Sequence, residues 1–380
     1  MPVPTDVPEI SGTLLRHRFR RFVPVLIGGC GSARISERMF EGLIGNTNAK
    51  RRLERMFEVG RLPNALLFTG PEGVGKRSFA LGLARKFICT AGGCGKCPVC
   101  ERAGRFVFPP EDDKNKDDYK RVFFSEHLDV GTVVPYKRNI LVDAIRDLEH
   151  EAHFRPYEAE TRVFIIDNAE KMNDQAANAL LKTLEEPPVT SHIILVTSQP
   201  DRLLPTIRSR TQAVRFGPVA ANEVEEYLAG ERGFSNEDAR LAAIAAKGSI
   251  GSAVSLDLAA FRQQRSAMLG VLCDAAVAGD RAAWLSAGEA MNDAKNKENF
   301  EPSLDILETL ARDVMVLAAG GSGMIANPDI TDELGEIAEA AGARRAAEWI
   351  TAIEETRTAL NVNLNRKIAA DALFVKFAGA

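Results

Sequence analysis

The stretch ALLFTGPEGVGKRS at residues 65–78 decides how the rest of the chain is organised. An apolar run meets Gly70, Gly73, Gly75 and Lys76 just before a helical pattern begins, which is the strand, glycine loop and helix order of a phosphate-binding loop. Glycines let backbone N–H groups wrap an anion because no Cβ intervenes, while the helix N-terminus and the lysine add positive charge. The stretch therefore predicts an α/β fold that holds nucleotide phosphates at Lys76.

The position after the lysine departs from this motif. Arg77 stands where the motif places a Ser or Thr whose hydroxyl binds Mg²⁺. Ser78 comes one residue late, about 100° further round the helix. We therefore expect the loop to hold a nucleotide but to be poorly equipped to hydrolyse it, with Gly70, Gly73, Gly75, Lys76, Arg77 and Ser78 as the binding residues.

Composition bounds the class of protein. The 380 residues allow two or three domains, and a net charge of −4 with 26% charged residues gives no global signal for a nucleic-acid or membrane surface. No stretch approaches the roughly 20 apolar residues that cross a bilayer. We expect a cytoplasmic protein without a membrane partner.

The first 38 residues are expected to be a disordered extension or a start assigned too early, with the folded chain opening near Met39. The basic residues 16–21 and the apolar residues after them superficially resemble a lipoprotein signal. The apolar part is short and contains Pro24, which argues against that alternative.

Four of the six cysteines crowd together after the loop helix, in the spacing Cys89-x4-Cys94-x2-Cys97-x2-Cys100 with glycines between them. Four thiolates in such a knuckle suit a structural, tetrahedral Zn²⁺. Disulfides are disfavoured because a nucleotide-binding loop implies a reducing compartment. An iron–sulfur cluster is the better alternative, although the fourth cysteine lies on the wrong side for a ferredoxin motif.

A second apolar stretch, RVFIIDNAE at residues 162–170, delivers Asp167 at the end of a predicted buried strand. In an α/β sheet this is where Mg²⁺ is held beside a phosphate loop. The next residue is Asn168, whereas an ATPase usually carries there a glutamate that positions the attacking water.

Predicted strands and helices alternate as far as residue 217, which favours a parallel, doubly wound sheet. The strands are expected at 66–68, 121–124, 162–166, 192–197 and 212–216, and the helices at 40–61, 79–89, 140–150 and 173–186. The charge run at 111–120 is expected to be a solvated loop. From residue 219 to the end the patterns are all helical.

Four features together resemble bacterial clamp-loader subunits of the AAA+ class. They are GPEGVGK, the cysteine knuckle directly after its helix, NALLKTLEEPP at residues 178–188 and TIRSRT at residues 206–211. The resemblance implies an AAA+ nucleotide-fold domain at 39–217 with a zinc module at 89–100, a helical lid at 218–258 and an oligomerising helical collar at 259–380. LNVNLN at residues 360–365 is similar to the collar of this family.

The departures from the family pattern imply a subunit that does not hydrolyse ATP. Arg77 removes the magnesium hydroxyl and Asn168 removes the water-positioning carboxylate, while Gly251 occupies the place of a nucleotide-sensing arginine in the lid. The resemblance therefore implies a stator that carries ATP or ADP without hydrolysis, as a component of a replicative DNA polymerase holoenzyme.

Ser209 and Arg210 resemble the first two residues of the family's Ser-Arg-Cys motif, with Thr211 replacing the cysteine. The resemblance implies that Arg210 is a catalytic finger in the neighbouring subunit's ATP site, and Arg208 is the less favoured candidate. Taken without the resemblance, either arginine is a surface ion pair worth roughly 0–1 kcal/mol.

The implied partners are motor and wrench subunits in a hetero-pentamer, the sliding clamp, and primer-template DNA reached through the complex. Two alternatives remain: an active clamp-loader motor, and a zinc-containing DNA-binding module on a relict nucleotide fold. His127 is expected to serve a turn, Trp284 and Trp349 to pack in helical cores, and Lys182 to be a solvated helix charge.

Overall fold

The computed structural model describes residues 39–278, 300–321, 325–361 and 366–377. The predictions for residues 1–38, for Trp284 and for residues 362–365 lie outside these ranges. Among the described residues, no helix is both long and apolar enough to cross a membrane.

Six strands form one sheet in the order β2-β3-β4-β5-β1-β6. Five of them are parallel, as predicted, and only β2 runs antiparallel to its neighbour β3. Three inner strands, β1, β3 and β4, are buried along their whole length, and for β1 and β4 this burial explains the near-continuous apolar sequences. The strands are β1 (Ala65–Thr69), β2 (Phe123–Phe124), β3 (Val130–Val133), β4 (Arg162–Ile166), β5 (Ser191–Thr197) and β6 (Gln212–Arg215).

Strand β3 is missing from the sequence-based prediction. Its sequence, VGTV, is short and interrupted by a glycine, so no apolar run is visible. Packing explains the glycine: a Cβ on Gly131 would lie 2.6 Å from a methyl of Val122 and 3.2 Å from the ring of Phe164. The strand is therefore specified by its neighbours rather than by its own pattern.

Helices cover both faces of the sheet and bury two hydrophobic cores against it. Helix α5 shows how the sequence sets their limits, since the Asn173 side chain accepts a hydrogen bond from the Ala176 N–H (2.9 Å) at its start and two prolines follow its end. The helices are α1 (Thr47–Glu58), α2 (Lys76–Ile88), α3 (Pro98–Gly104), α4 (Val142–Ala152), α5 (Asp174–Glu185) and α6 (Pro205–Arg210).

The charge run at 111–120 is more ordered than a solvated loop. Its charged side chains are largely exposed, but Tyr119 is buried within the 3₁₀ turn Asp118–Lys120. The Tyr119 hydroxyl donates to the Pro109 carbonyl (2.7 Å), and its ring packs edge-on against Phe123. The buried Tyr119 side chain therefore anchors this loop, although the surrounding charged residues dominate its sequence.

Three short helices, α7 (Ala221–Glu231), α8 (Asn236–Ala245) and α9 (Ile250–Ser255), share a small core of their own. The chain then continues into longer helices. These are α10 (Leu258–Cys273), which continues as a π-helical turn Asp274–Ala278, then α11 (Phe300–Ala318), α12 (Thr331–Asn361) and α13 (Arg366–Phe377).

The longer helices pack around one large apolar cluster. Trp349 is 1% exposed, and its indole N–H donates to the Phe377 carbonyl (3.3 Å), so its predicted packing role is confirmed. Gly342 has φ 71° and bends α12 near its middle. The described residues after 219 are therefore all helical, as the sequence predicts.

Candidate nucleotide and metal sites

The loop between β1 and α2 has the backbone of a phosphate cradle. Gly73 and Gly75 adopt φ values of 73° and 94°, which a side chain would disfavour. Lys76 begins α2, and its Nζ donates to the carbonyls of Gly70 (2.7 Å) and Pro71 (2.6 Å). Burial lowers the pKa of Lys76, and nearby carboxylates oppose this effect. The lysine therefore lies folded against its own loop.

Arg77 forms an ion pair across the site with Asp167. Its Nη1 lies 3.4 Å from Asp167 Oδ2, and its guanidinium lies 5.4 Å from the centre of the Phe108 ring. The other oxygen of Asp167 accepts the Asn168 N–H (3.1 Å). Burial raises the pKa of Asp167, while the Arg77 charge opposes that shift. Both carboxylate oxygens are thus engaged by the chain itself.

These residues do not fit a magnesium ion. Mg²⁺ needs oxygen ligands in near-octahedral geometry, and the motif supplies them from a hydroxyl after the lysine and from the aspartate. Here the hydroxyl is replaced by a cation that is already paired with the aspartate. Asn168 stands beside it in the left-handed region (φ 51°) and brings an amide rather than a carboxylate.

Glu170 is a site residue that sequence reasoning missed. It lies three residues after Asp167, where its Oε1 accepts from the Ser198 hydroxyl at 2.7 Å and from the Ser198 N–H at 3.3 Å. Burial raises the pKa of Glu170, but hydrogen bonds from Ser198 and Thr197 outweigh burial and lower it. Since Ser198 follows β5 and Glu170 follows β4, only the sheet order brings them together.

A cavity of about 440 Å³ opens over the loop, within the range of small-molecule sites. Of the predicted binding residues, Gly73, Gly75, Lys76, Arg77, Ser78 and Asp167 line it. Gly70 does not, because it packs beneath the loop, where a Cβ would come 2.2 Å from the Phe216 carbonyl oxygen. Tyr227, Arg232 and Val254 complete the wall, and no sequence motif marks them.

Helix α9 lies directly on the loop. The Gly251 N–H donates to the Gly73 carbonyl at 2.9 Å. A Cβ on Gly251 would lie 3.3 Å from Gly73 Cα, and one on Gly73 would lie 2.0 Å from Ser249 Oγ. Gly251 thus contacts the phosphate loop directly, and any side chain at this position would crowd the backbone of Gly73.

The four predicted metal ligands form one cluster. Their sulfur atoms lie within 4.8 Å of one another, with Cys89 Sγ 3.9 Å from Cys94 Sγ and 3.7 Å from Cys97 Sγ. Four sulfurs bound at about 2.3 Å to a tetrahedral Zn²⁺ lie about 3.8 Å apart. A disulfide needs about 2.05 Å, so these are free thiols poised around a common centre.

Backbone N–H groups turn towards this centre because the knuckle glycines adopt positive φ, for example 86° at Gly93. Burial raises the pKa of Cys89, but N–H groups of Cys94, Gly93 and Ala91 outweigh burial and lower it to about 6. Burial raises the pKa of Cys100. Such a donor set fits Zn²⁺, which requires deprotonated thiolates.

Arg210 lies at the amino end of the parallel strands, whereas the phosphate loop lies at their carboxyl end. Strand β6 is parallel to β1, with Gln212 beside Leu66 and Arg215 beside Thr69. The loop follows the carboxyl end of β1, whereas Arg210 precedes the amino end of β6, so at least the length of β6, roughly 10 Å, separates them. Arg210 therefore lies away from the phosphate site of its own chain.

Both finger candidates make exposed ion pairs in the structure. Arg210 Nη2 lies 2.7 Å from Glu185 Oε1, and Arg208 Nη1 lies 2.9 Å from Asp201 Oδ1. Pairs of this kind contribute roughly 0–1 kcal/mol, so either side chain can leave its partner at little cost.

The turn at residues 125–129 has a structural role. His127 is 1% exposed and sits in a turn closed by the Ser125 hydroxyl, as predicted. Asp129 is buried and accepts the N–H groups of Tyr157, Glu158 and Ala159 at 2.7–2.8 Å. Buried Arg162 lies 3.8 Å from Asp129 and 3.1 Å from Glu151. These contacts tie the start of β4 to the loop before it.

Comparison with known proteins identifies the family. A family model described as DNA polymerase III, delta subunit, matches residues 45–220. The chain is 30% identical to DNA polymerase III subunit delta' of Bacillus subtilis over 314 residues, which is 82% of this chain and 90% of that protein. It is also 30% identical to the delta' subunit of Escherichia coli over 296 residues, 76% of this chain and 80% of that protein.

A more local similarity links the chain to another subunit type. DNA polymerase III subunit gamma/tau of Mycobacterium tuberculosis is 34% identical over 181 residues, which is 47% of this chain but only 28% of that protein. The delta' subunits are matched over most of their length, whereas this relative is matched over about a quarter of its own. The chain therefore belongs to the DNA polymerase III delta' family of clamp-loader subunits.

Proposed function

We propose that this chain is a non-hydrolysing clamp-loader subunit that donates Arg210 to the nucleotide site of a neighbouring subunit. The observation that carries this proposal is the position of Arg210 at the amino end of the parallel strands, away from its own phosphate loop at their carboxyl end. A guanidinium offers a planar fork of N–H donors that matches a phosphate group and stays charged at every physiological pH. Placed on a neighbour's γ-phosphate, an arginine finger is worth about 10³–10⁵ in rate.

Three features of the chain's own site support the absence of hydrolysis. Arg77 occupies the place of the metal-binding hydroxyl and pairs with Asp167. Asn168 has no carboxylate with which to orient a water. Gly251 presents only a backbone N–H to the phosphate loop. Each alone leaves room for compensation, but together they remove the hydroxyl ligand of the metal, the water-positioning carboxylate and the arginine expected at position 251.

In this proposal the chain works in a hetero-oligomer, a pentamer with motor and wrench subunits, that opens the sliding clamp and loads it on primer-template DNA in the cytoplasm. The helices from α10 onward form the collar through which the subunits assemble. Zn²⁺ bound by Cys89, Cys94, Cys97 and Cys100 is structural, because a site filled by four cysteines leaves no open position for a substrate.

The decisive experiment is an Arg210→Ala substitution in an otherwise native, reconstituted clamp loader. We expect the ATPase and clamp-loading rates at the site that Arg210 serves to fall by about tenfold or more. An arginine finger contributes about 10³–10⁵ in rate, so its removal should exceed a tenfold loss. Assembly, followed by size-exclusion chromatography, should be unchanged.

The matched control is Arg208→Ala, which removes an equivalent exposed arginine from the same short helix. We expect this variant to keep near-native rates. A fully active Arg210→Ala loader would exclude the finger role, and a loss confined to Arg208→Ala would move that role to Arg208. The free energy of unfolding of the isolated Arg210→Ala chain should change by less than about 1 kcal/mol, which separates a catalytic loss from a structural one.

A further inference from the structure

We infer that Arg77 takes the place of Mg²⁺ in the chain's own nucleotide site, so that the cavity binds a nucleoside di- or triphosphate without a divalent cation. This inference rests on the proposed nucleotide binding at the glycine loop and is independent of the role of Arg210. It concerns ligand recognition, not turnover.

The placement of Arg77 supports this substitution. The side chain leaves the first turn of α2, directly after the lysine, and its Nη1 reaches Asp167 Oδ2 at 3.4 Å. In a phosphate-binding loop of the usual kind, the metal bridges these two positions. The Phe108 ring, 5.4 Å away, provides a face against which the guanidinium stacks. The positive charge therefore lies beside Asp167, the residue that would otherwise hold the metal.

The chemistry of the guanidinium leaves capacity for a ligand. Arginine has five N–H donors, and the contact with Asp167 uses one of its terminal nitrogens. The side chain remains partly exposed and lines the cavity beside Lys76. The remaining donors can thus reach phosphate oxygens from the same side as the lysine and the helix N-terminus.

The same arrangement opposes a metal ion. One oxygen of Asp167 is paired with Arg77 and the other accepts the Asn168 N–H, so a divalent cation would have to displace a contact that already exists. It would also lie next to a fixed guanidinium, and like charges repel strongly at such distances in a partly buried site. Metal and arginine are therefore alternatives at this position.

The test is the affinity of the full-length chain for ADP and ATP, measured by isothermal titration calorimetry in excess EDTA and again in excess Mg²⁺. We expect the wild-type chain to bind both nucleotides in EDTA and to bind them at least about tenfold more weakly in excess Mg²⁺, because the metal competes for the phosphates that the site takes up without metal; tenfold corresponds to about 1.4 kcal/mol. Mn²⁺ in place of Mg²⁺ gives a second readout, because its electron paramagnetic resonance spectrum should report only the metal–nucleotide complex free in solution.

The Arg77→Ser variant restores the hydroxyl that the motif calls for. We expect its affinity in EDTA to fall by about tenfold or more and to be recovered by Mg²⁺, since the metal then has a ligand and no competing cation. Arg344→Ser removes one arginine from a 94% exposed position on α12 and should behave as wild type in both conditions. The Arg77→Lys variant keeps the charge without the fork and should still bind nucleotide in EDTA.

Two results would overturn the inference: nucleotide binding by the wild-type chain that requires Mg²⁺, or an Arg77→Ser variant whose affinity matches wild type with and without metal. If no nucleotide binds at millimolar concentration in either condition, both this inference and the proposed nucleotide site fail. The proposed finger role would survive that result, because it is tested separately by Arg210→Ala in the assembled loader.

Discussion

At the scale of single residues, Gly73 serves two purposes at once. Its φ of 73° shapes the phosphate loop, and its lack of a side chain leaves space for Ser249, which caps α9 by accepting the Ser252 N–H. Its carbonyl also accepts the Gly251 N–H. One residue therefore couples the conformation of the phosphate loop to the position of the helix above it.

We predict that Gly73→Ala destabilises the fold more than Gly60→Ala does. Gly60 has a similar φ of 64° but open space around its Cα, so its substitution costs only the strain of the left-handed backbone, about 1–2 kcal/mol. At Gly73 the overlap with Ser249 should add about 1–3 kcal/mol. Urea unfolding of the two variants measures the difference.

Equal losses in the two variants would mean that Ser249 moves aside without cost. Adding Ser249→Ala tests the same contact from the other side, because the double variant should be less destabilised than the sum of the two single losses. Additive losses would show that the two residues do not interact.

The residues of the site could be predicted only in part from the sequence. The loop glycines, Lys76, Arg77 and Asp167 are visible because each follows from a local motif or the end of a local strand. Glu170 and Tyr227 are not visible, since the first acquires its role from Ser198 across the sheet and the second from a lid helix that folds back over the loop.

At the scale of secondary-structure elements, the cysteine knuckle packs against the helix that precedes it. It runs from the end of α2 into the first turn of α3, and the Arg85 side chain from α2 donates to the Cys100 carbonyl at 3.0 Å. Lys86, also from α2, reaches over the Phe57 ring of α1 at 4.9 Å. The knuckle is thus braced against the helix that starts at the phosphate loop.

We predict one tightly bound zinc per chain, lost in Cys97→Ser and retained in Cys273→Ser. Cys273 is the matched control because it is an exposed free thiol outside the cluster. Loss of metal should lower the melting temperature of the Cys97→Ser chain by at least about 2–4 °C, the shift that 1 kcal/mol gives in a domain of this size. Elemental analysis and thermal unfolding measure the two effects.

A chain without zinc but with visible absorption from iron and sulfide would support the iron–sulfur alternative instead. A purified chain that contains no metal, and whose melting temperature a chelator does not change, would contradict the metal assignment altogether.

Most elements could be predicted from local patterns, but their arrangement could not. Apolar runs mark β1, β4 and β5, and caps and prolines mark the limits of α5. Strand β3 has no run of its own because Gly131 must make room for Val122 and Phe164. Strand β2 runs antiparallel because the short turn at residues 125–129 joins it directly to β3, and no turn motif in the sequence marks this connection.

At the scale of the whole molecule, the cavity over the glycine loop lies where the sheet meets the small helical unit of α7, α8 and α9, which we call the lid. Loop residues form one side of the cavity, and Tyr227, Arg232 and Ile250 form part of the other. Lys247, next to the lid's last helix, also reaches Asp305 of α11 at 2.8 Å. The lid therefore contacts both the phosphate loop and the longer helices.

We predict that the isolated chain shows no ATP turnover that depends on Lys76. The rival view is an active motor subunit that hydrolyses ATP at its own loop. The two are distinguished by comparing wild type with Lys76→Ala in a steady-state ATPase assay. Turnover at around 1 s⁻¹ that disappears in Lys76→Ala would favour the motor, because that rate is the low end of ordinary enzymes.

In the assembled loader the expected pattern is the reverse of that for a motor. Lys76→Ala in this chain should leave the total ATPase rate near its native value, whereas Arg210→Ala should lower it. A loader in which both substitutions abolish activity equally would contradict the separation of the two roles.

Arg210 and the phosphate loop lie at opposite ends of the parallel strands, so the chain carries its arginine and its phosphate site on two different surfaces. A contact that brings one chain's arginine to another chain's nucleotide must use different surfaces on the two partners, so it is heterologous and propagates head to tail. Under the proposed function, a subunit that does not hydrolyse ATP needs no incoming arginine and therefore ends such a series. The direction of β6, which sets Arg210 and the loop at opposite ends of the sheet, thus orients the chain within the assembly.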